Sequence, residues 1–353
     1  MSHLEQRMET DLNRIREALW QIGEDVEKAL RNAKKTLAVK DEELAYATVL
    51  ADHPINRDVR ECDRMVHRFS ARYLPGAGPL REMTATLRVS IALERIGDYA
   101  VTICREALQL EEPLPERFSS RIDELADESI AILTESRVAF RDGNSEQAIA
   151  LMRAARRVQN KMDGIYEDLF AADDRLDGRT MMAIFVVFNA FKRVADQSKN
   201  ICDQVVYAAR GIEKIPKTYR ILFLDQPGSQ AGQLAVAIGR KFFSESAEFA
   251  SAVPTAGEPL DASLRYFLIE NGLPDEDLDS ESLETLHHDL ADFHVIVCLS
   301  GKVSDYISKM PFHSSALNWK LTGGSSPIER YRTLREAVGE LITLLAGQQP
   351  EQT

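Results

Sequence analysis

At 353 residues the chain exceeds one ordinary core, and at roughly 100–200 residues per domain it implies two or three. Hydrophobic residues make up 44% and charged residues 28%, which fits a globular chain and argues against disorder. The net charge of −13 disfavours non-specific binding to DNA or an anionic bilayer, and suits a cation or a basic partner patch.

The stretch from Met1 to Asp11 is polar and no run of about 18 apolar residues occurs, so neither a leader nor a membrane span is expected and the expected location is the cytoplasm. Cys62, Cys104, Cys202 and Cys298 form no CxxC pair, which argues against a structural zinc site and for buried, reduced thiols.

Residues 5 to about 213 read as helix. Leu12, Ile15, Leu19, Ile22, Val26 and Leu30 recur at steps of three and four, one apolar stripe on a first long helix. The second is expected from about Asp41 to Tyr73, with a kink at Pro54. The Leu74–Pro79 stretch is a break, and a third helix is expected over about Leu80–Leu110. After Pro113 and Pro115, three more are expected at about 117–141, 145–172 and 179–211. Arg95, Asp98, Ile103 and Cys104 recur as Arg193, Asp196, Ile201 and Cys202 at a constant offset. The expectation is an all-α pair of tandem three-helix bundles, over residues 1–112 and 113–214.

Beyond about residue 215 the pattern changes. Arg220–Leu224, Glu248–Val253, Val295–Leu299 and Leu317–Leu321 read as strands. Ser229–Phe243, Ala262–Asn271 and about Pro327–Leu345 read as helices, with Gly272 closing the second and proline opening the third. The alternation predicts an α/β domain over 218–353, with a four-stranded parallel sheet.

On the third helix Glu94 and Asp98 stand four residues apart, on one face and one turn apart, where two carboxylates can share a hard or borderline cation. A solvated acidic edge screened by Arg95 and Arg105 is the competing reading. The surrounding string, Leu93-Glu94-Arg95-Ile96-Gly97-Asp98 onward, resembles the signature helix of the PhoU family, and the resemblance extends over residues 5–213. It implies a cytoplasmic regulator of phosphate transport and phosphate-responsive signalling, with a transporter's cytoplasmic component or a sensor kinase as partner. It also implies that the acidic motifs can hold a divalent or iron-type metal ion. By position the first motif supplies Glu94 and Asp98. The second supplies Asp196 alone, because Lys192 stands where glutamate is expected and can pair with Asp196. Asp63 and Asp163, on the facing helices, are weaker candidates.

In the α/β half, Asp225–Gly232 joins a strand to a helix, a natural anion cradle of free N–H groups. Residues 219–346 resemble the low-molecular-weight tyrosine phosphatase and arsenate reductase family. Mapped by position, however, the nucleophilic cysteine falls on Asp225, the phosphate-gripping arginine on Ala231 and the general acid on Thr322. Gly228 and Ser229 keep the loop's backbone accessible, and Asp225 would favour a cation or amine there over phosphate. The expectation is a pseudophosphatase domain in a non-catalytic regulator, dimeric and touching a membrane only through its partner. The alternatives are a metal-binding scaffold or store, and a metal-dependent phosphohydrolase for which no convincing general base accompanies the acids, His53 and His67 lying on another helix.

Overall fold

The computed structural model describes residues 3–170, 176–212, 218–255, 257, 259–286, 288–311, 314–319 and 326–347, with the backbone alone over 159–170. The chain divides into two compact units, Met1–Lys214 and Ile215–Thr353. No helix among the described residues is long and apolar enough to cross a membrane.

The first unit is helical: α1 (His3–Val39), α2 (Glu42–Tyr73), α3 (Ala77–Gln109), α4 (Glu116–Asp142), α5 (Ser145–Phe170) and α6 (Gly178–Arg210). The stripe read on α1 is buried from Leu12 to Leu30. Asp41 caps α2 by accepting from the Leu44 N–H at 2.9 Å. Asp177 caps α6 by accepting from Arg179 and Thr180. These side chains satisfy N–H groups that have no partner within the helix. Gly143 and Gly211 close α4 and α6 with φ of 64° and 68°, a left-handed conformation that costs glycine nothing.

α2 spans Pro54 as one helix from Glu42 to Tyr73, as expected, but one expectation about proline needs correction. α3 begins at Ala77 rather than Leu80, because Pro79 falls in the first turn, where its missing N–H has no intrahelical partner to lose. The repeat-related helices α3 and α6 pack on each other. Ile103, Cys104, Ile201 and Cys202 are all buried. One hydrophobic core runs from Ile15 and Leu30 through Val59, Leu93 and Leu133 to Phe188 and Phe191, so the two three-helix sets share an interior. Arg137 of α4, 5% exposed, crosses to α1, where it pairs with Glu24 and Glu27 at 2.5 Å and lies 4.5 Å from the Trp20 ring.

The second unit holds β1 (Tyr219–Leu224), α7 (Ala231–Phe243), β2 (Ala247–Val253), α8 (Ala262–Glu270), β3 (Glu281–Ser282), β4 (Val295–Cys298), β5 (Ser315–Asn318) and α9 (Pro327–Ala346). The sheet order is β3-β2-β1-β4-β5 and every pairing is parallel. The sheet therefore has five strands among the described residues, not four. The added one, β3, is a two-residue edge pairing with Ala252 and Val253, too short to leave an apolar pattern. β5 lies at Ser315–Asn318 rather than Leu317–Leu321, because its register is set by main-chain pairing to Val295–Cys298 and not by its own mostly exposed side chains. α7 begins at Ala231, two residues after the expected Ser229. β1 is buried on both faces: Ile221 and Phe223 lie in a core with Leu334 and Val338 of α9, Leu222 and Leu224 in one with Ile296 and Cys298. Such two-sided burial is characteristic of a parallel strand covered on each side.

Candidate functional sites

The first candidate lies between α2 and α3. Asp98 is exposed and Glu94 half-buried on α3, as their spacing requires. Partial desolvation at its exposed position, and after it the charge of Asp52, raises the Asp98 carboxyl from its ordinary value. Asp52 is a residue the sequence reading passed over. Its Oδ2 accepts from Asn56 Nδ2 at 2.7 Å. Asp52 Oδ1 faces α3 at Gly97, where an added Cβ would lie 3.5 Å away. That Oδ1 and the Asn56 Oδ1 are both buried with no hydrogen-bond partner among the described residues. Two carboxylates from adjacent helices and one amide carbonyl thus offer oxygen only, a donor set for a hard cation.

Asp63 is engaged elsewhere: its Oδ1 accepts from Ser90 Oγ at 3.0 Å. Asp163 lies outside the residues whose side chains are described. His53 and His67 are exposed. No group of three or more histidine, cysteine, aspartate or glutamate side chains comes together among the described residues. The signal for Asp52 and Asn56 was an i, i+4 pair on the helix facing the motif.

In the second copy of the motif Lys192 Nζ lies 2.9 Å from Asp196 Oδ2. The ammonium occupies the carboxylate that would otherwise be offered to a cation.

The second candidate is the loop after β1. It lies at the carboxyl ends of β1 and β4, which connect onward toward opposite edges of the sheet, β1 to β2 and β4 to β5; ligands of open parallel sheets bind at such a point. Gly228 (φ 79°) and Gln230 (φ 58°) turn the chain into α7. Asp225 is 2% exposed, and its carboxylate is already bound. Oδ1 accepts from the Gln226 N–H at 2.8 Å and Oδ2 from the Gly232 N–H at 2.9 Å. Ala231, also buried, brings no positive charge. Thr322 lies outside the described residues.

Cys298 is buried at the end of β4, its Sγ donating to the Ser300 carbonyl at 3.1 Å, and burial raises its thiol further from the reactive thiolate. The Tyr306 hydroxyl donates to the same carbonyl at 2.7 Å and is pushed up to about 12, by burial first and then by Cys298 and Asp225. α9 brings one positive charge to the loop, the Arg330 guanidinium donating to the Ser229 carbonyl at 3.5 Å, while the loop itself carries neither a thiol nucleophile nor an arginine.

These features define a six-helix unit followed in sequence by an α/β unit. Residues 19–107 match the family model described as the PhoU domain. The chain is 27% identical over 212 residues to the phosphate-specific transport system accessory protein PhoU of Serratia marcescens, covering 59% of this chain and 87% of that protein. It is 26% identical over 212 residues to the protein of that name from Escherichia coli K12, with 59% and 88% covered. The crystal structure of PhoU from Pseudomonas aeruginosa superposes with a TM-score of 0.56 at 27% identity, covering 58% of this chain and 99% of that one. That from Streptococcus pneumoniae, at 23% identity and a TM-score of 0.55, shares the fold. The similarity accounts for about three fifths of the chain, close to the extent of the helical unit. These similarities do not support the phosphatase resemblance expected for the α/β unit.

Proposed function

We propose that this protein is a non-catalytic cytoplasmic regulator of phosphate uptake and phosphate-responsive signalling, acting through protein–protein contacts made by its helical unit. The observation that carries this reading is the similarity to phosphate transport accessory proteins over 212 residues and 87% of such a protein's length. The partner would be the cytoplasmic component of a phosphate transporter, a sensor kinase, or both.

The α/β unit is a pseudophosphatase in this reading. Its cradle holds the carboxylate of Asp225 where a phosphate oxygen would sit, so the scaffold serves packing or regulation.

A second reading, metal-supported docking, is favoured by the buried, unpartnered Asp52 Oδ1 and Asn56 Oδ1. Those two residues and Asp98 would hold a divalent or iron-type ion, with Glu94 one turn away. The ion would neutralise the Asp52–Asp98 repulsion and fix α2 against α3.

The test is affinity capture of the tagged chain from its own host at endogenous level, after chemical crosslinking. Recovery of phosphate-transporter or phosphate-kinase components supports the reading. A crosslinked set without either, together with turnover of phosphoesters by the pure protein, would sink it.

A further inference from the structure

Helix α2 buries Thr48, Ile55, Val59, Cys62, Val66 and Phe69 and turns its opposite side outward. Toward its start that outer side carries Tyr46, 58% exposed, and Leu50, 64% exposed. His53 follows, and then four exposed arginines, Arg57, Arg60, Arg64 and Arg68. From Tyr46 to Arg68 the steps are 4, 3, 4, 3, 4 and 4 residues. At 3.6 residues per turn these side chains fall within roughly 80° of the helix circumference, across the helix from Thr48, Ile55 and Val66. They form one straight strip about 33 Å long.

The helix itself has no use for four arginines there. Arg57 and Arg60 form no ion pair among the described residues. Arg64 and Arg68 share the carboxylate of Glu61, at 2.6 and 3.6 Å. Arg60 with Arg64, and Arg64 with Arg68, are like charges at i, i+4, which repel. The helix dipole favours cations only in the last turn, and Arg57, Arg60 and Arg64 lie more than two turns short of Tyr73. Four positive charges against one negative are thus gathered on a chain whose total charge is −13.

We propose that this strip of α2 is a docking seam for an acidic helix of a partner protein, which sets an apolar side chain on Tyr46 and Leu50 and carboxylates along the four arginines. Alternating steps of three and four keep the strip parallel to the helix axis, the kind of seam along which one helix packs lengthwise on another. A partner one helix wide therefore meets it from end to end. Charge complementarity makes that partner acidic and fixes its register, while the aromatic and aliphatic end supplies the anchor. An anionic bilayer or a nucleic acid would meet the same arginines, but the total charge of −13 repels both, and a broad lipid plane calls for a wide basic face and not a narrow strip. The inference rests on the reading of the helical unit as a docking module, and not on what the partner does.

The experiment is photo-crosslinking in the host from benzoylphenylalanine introduced at Tyr46 of the full chain, with a second probe at Met182 of α6, 60% exposed, as a control position. Crosslinked peptides are sequenced by mass spectrometry. The Tyr46 probe is expected to capture a protein segment of helical periodicity with several aspartates or glutamates on one face. R57E/R60E is expected to lower that yield roughly tenfold, by replacing complementary charges with like ones. Lysines in place of the facing acids of the captured segment are expected to restore the yield with R57E/R60E, which separates loss of the contact from loss of folding. Capture of lipid, of nucleic acid or of the chain itself from Tyr46, capture of a segment without such acids, or a yield indifferent to R57E/R60E overturns the proposal. Capture from Met182 and not from Tyr46 overturns the strip and leaves the docking reading standing; no capture from either position counts against both.

Discussion

Gly23→Ala sets helix propensity against packing, and the structure fixes which wins. Gly23 sits in the middle of α1, where alanine should gain roughly 1 kcal/mol over glycine. A Cβ at that position, however, meets the middle of the Arg137 side chain at its Nε and Cδ. Arg137 cannot swing aside into water, because its side chain is almost wholly buried and its guanidinium is held by Glu24, Glu27 and the Trp20 ring.

Displacing it disrupts a buried pair, worth about 3–5 kcal/mol when one partner is lost outright. The figure is smaller here, since Glu27 keeps Arg31 at 2.7 Å and Glu24 is about half exposed. Subtracting the propensity gain leaves a net destabilisation of about 1–3 kcal/mol. Trp20 lies under both Arg137 and Arg141 and is the tryptophan of the helical unit. On a Trp319→Phe background its fluorescence follows urea unfolding of that unit. A lower midpoint with an unchanged slope is expected for Gly23→Ala, and Arg137→Met should bring the alanine back toward a gain. A midpoint raised by the propensity term alone would refute the packing argument.

Three further outcomes follow from the same geometry. Burial lifts the thiols of Cys62 and Cys202 to about 12 and Cys104 to about 11, against an ordinary 9.0. The unfolded chain then releases these protons first, so stability of the helical unit should be level below about pH 9 and fall from there toward about pH 12, with Cys→Ser variants flattening the slope. A slope unchanged by those variants would contradict the burial. Asp225→Ala strips two N–H groups of their acceptor and should cost about 1–3 kcal/mol in chemical denaturation. The emptied cradle should also bind inorganic phosphate in calorimetry where the wild type does not, and equal silence in both proteins would count against the self-filled site. Divalent cation should raise the melting temperature of the wild type and not of Asp52→Asn/Asp98→Asn. Asp98 is raised by partial desolvation and by Asp52, so the double variant should melt higher than the wild type without metal. An equal shift in both proteins would remove the Asp52/Asp98 face from consideration as a cation site.

The helical unit was legible because its signal is redundant. The stripe from Leu12 to Leu30 marks α1 by its spacing alone, and the repeat of Arg95, Asp98, Ile103 and Cys104 at Arg193, Asp196, Ile201 and Cys202 ties α3 to α6. Proline misled at α3, where Pro79 reads as part of a break and falls in the first helical turn. Asp52 and Asn56 were not legible because an Asp–Asn pair at i, i+4 is ordinary on a solvated helix face. In the sheet, β1 and β4 announced themselves by unbroken apolar runs. β3 and β5 are edge pairings held by main-chain bonds to a neighbour, which single-chain patterning does not encode. Asp225 was singled out from the sequence because it ends an apolar strand and opens a glycine-bearing loop. That its carboxylate would turn inward onto Gly232, instead of outward to a cation, depends on the loop's φ angles and not on composition. The paired Lys192 and Asp196 were readable from one substitution, because an ammonium four residues from a carboxylate has an obvious use.

The central claim is regulation of phosphate uptake without catalysis. Its most direct test is initial-rate uptake of radiolabelled phosphate by host cells, measured at scarce and abundant phosphate in three strains: intact, deleted for this chain, and complemented with it. The account predicts that deletion removes the restraint of uptake at abundant phosphate and that the wild-type chain restores it. It further predicts that Asp225→Ala with Ala231→Gly, which alters only the degenerate loop, restores it as well. Uptake that follows external phosphate identically with and without the chain would contradict the account.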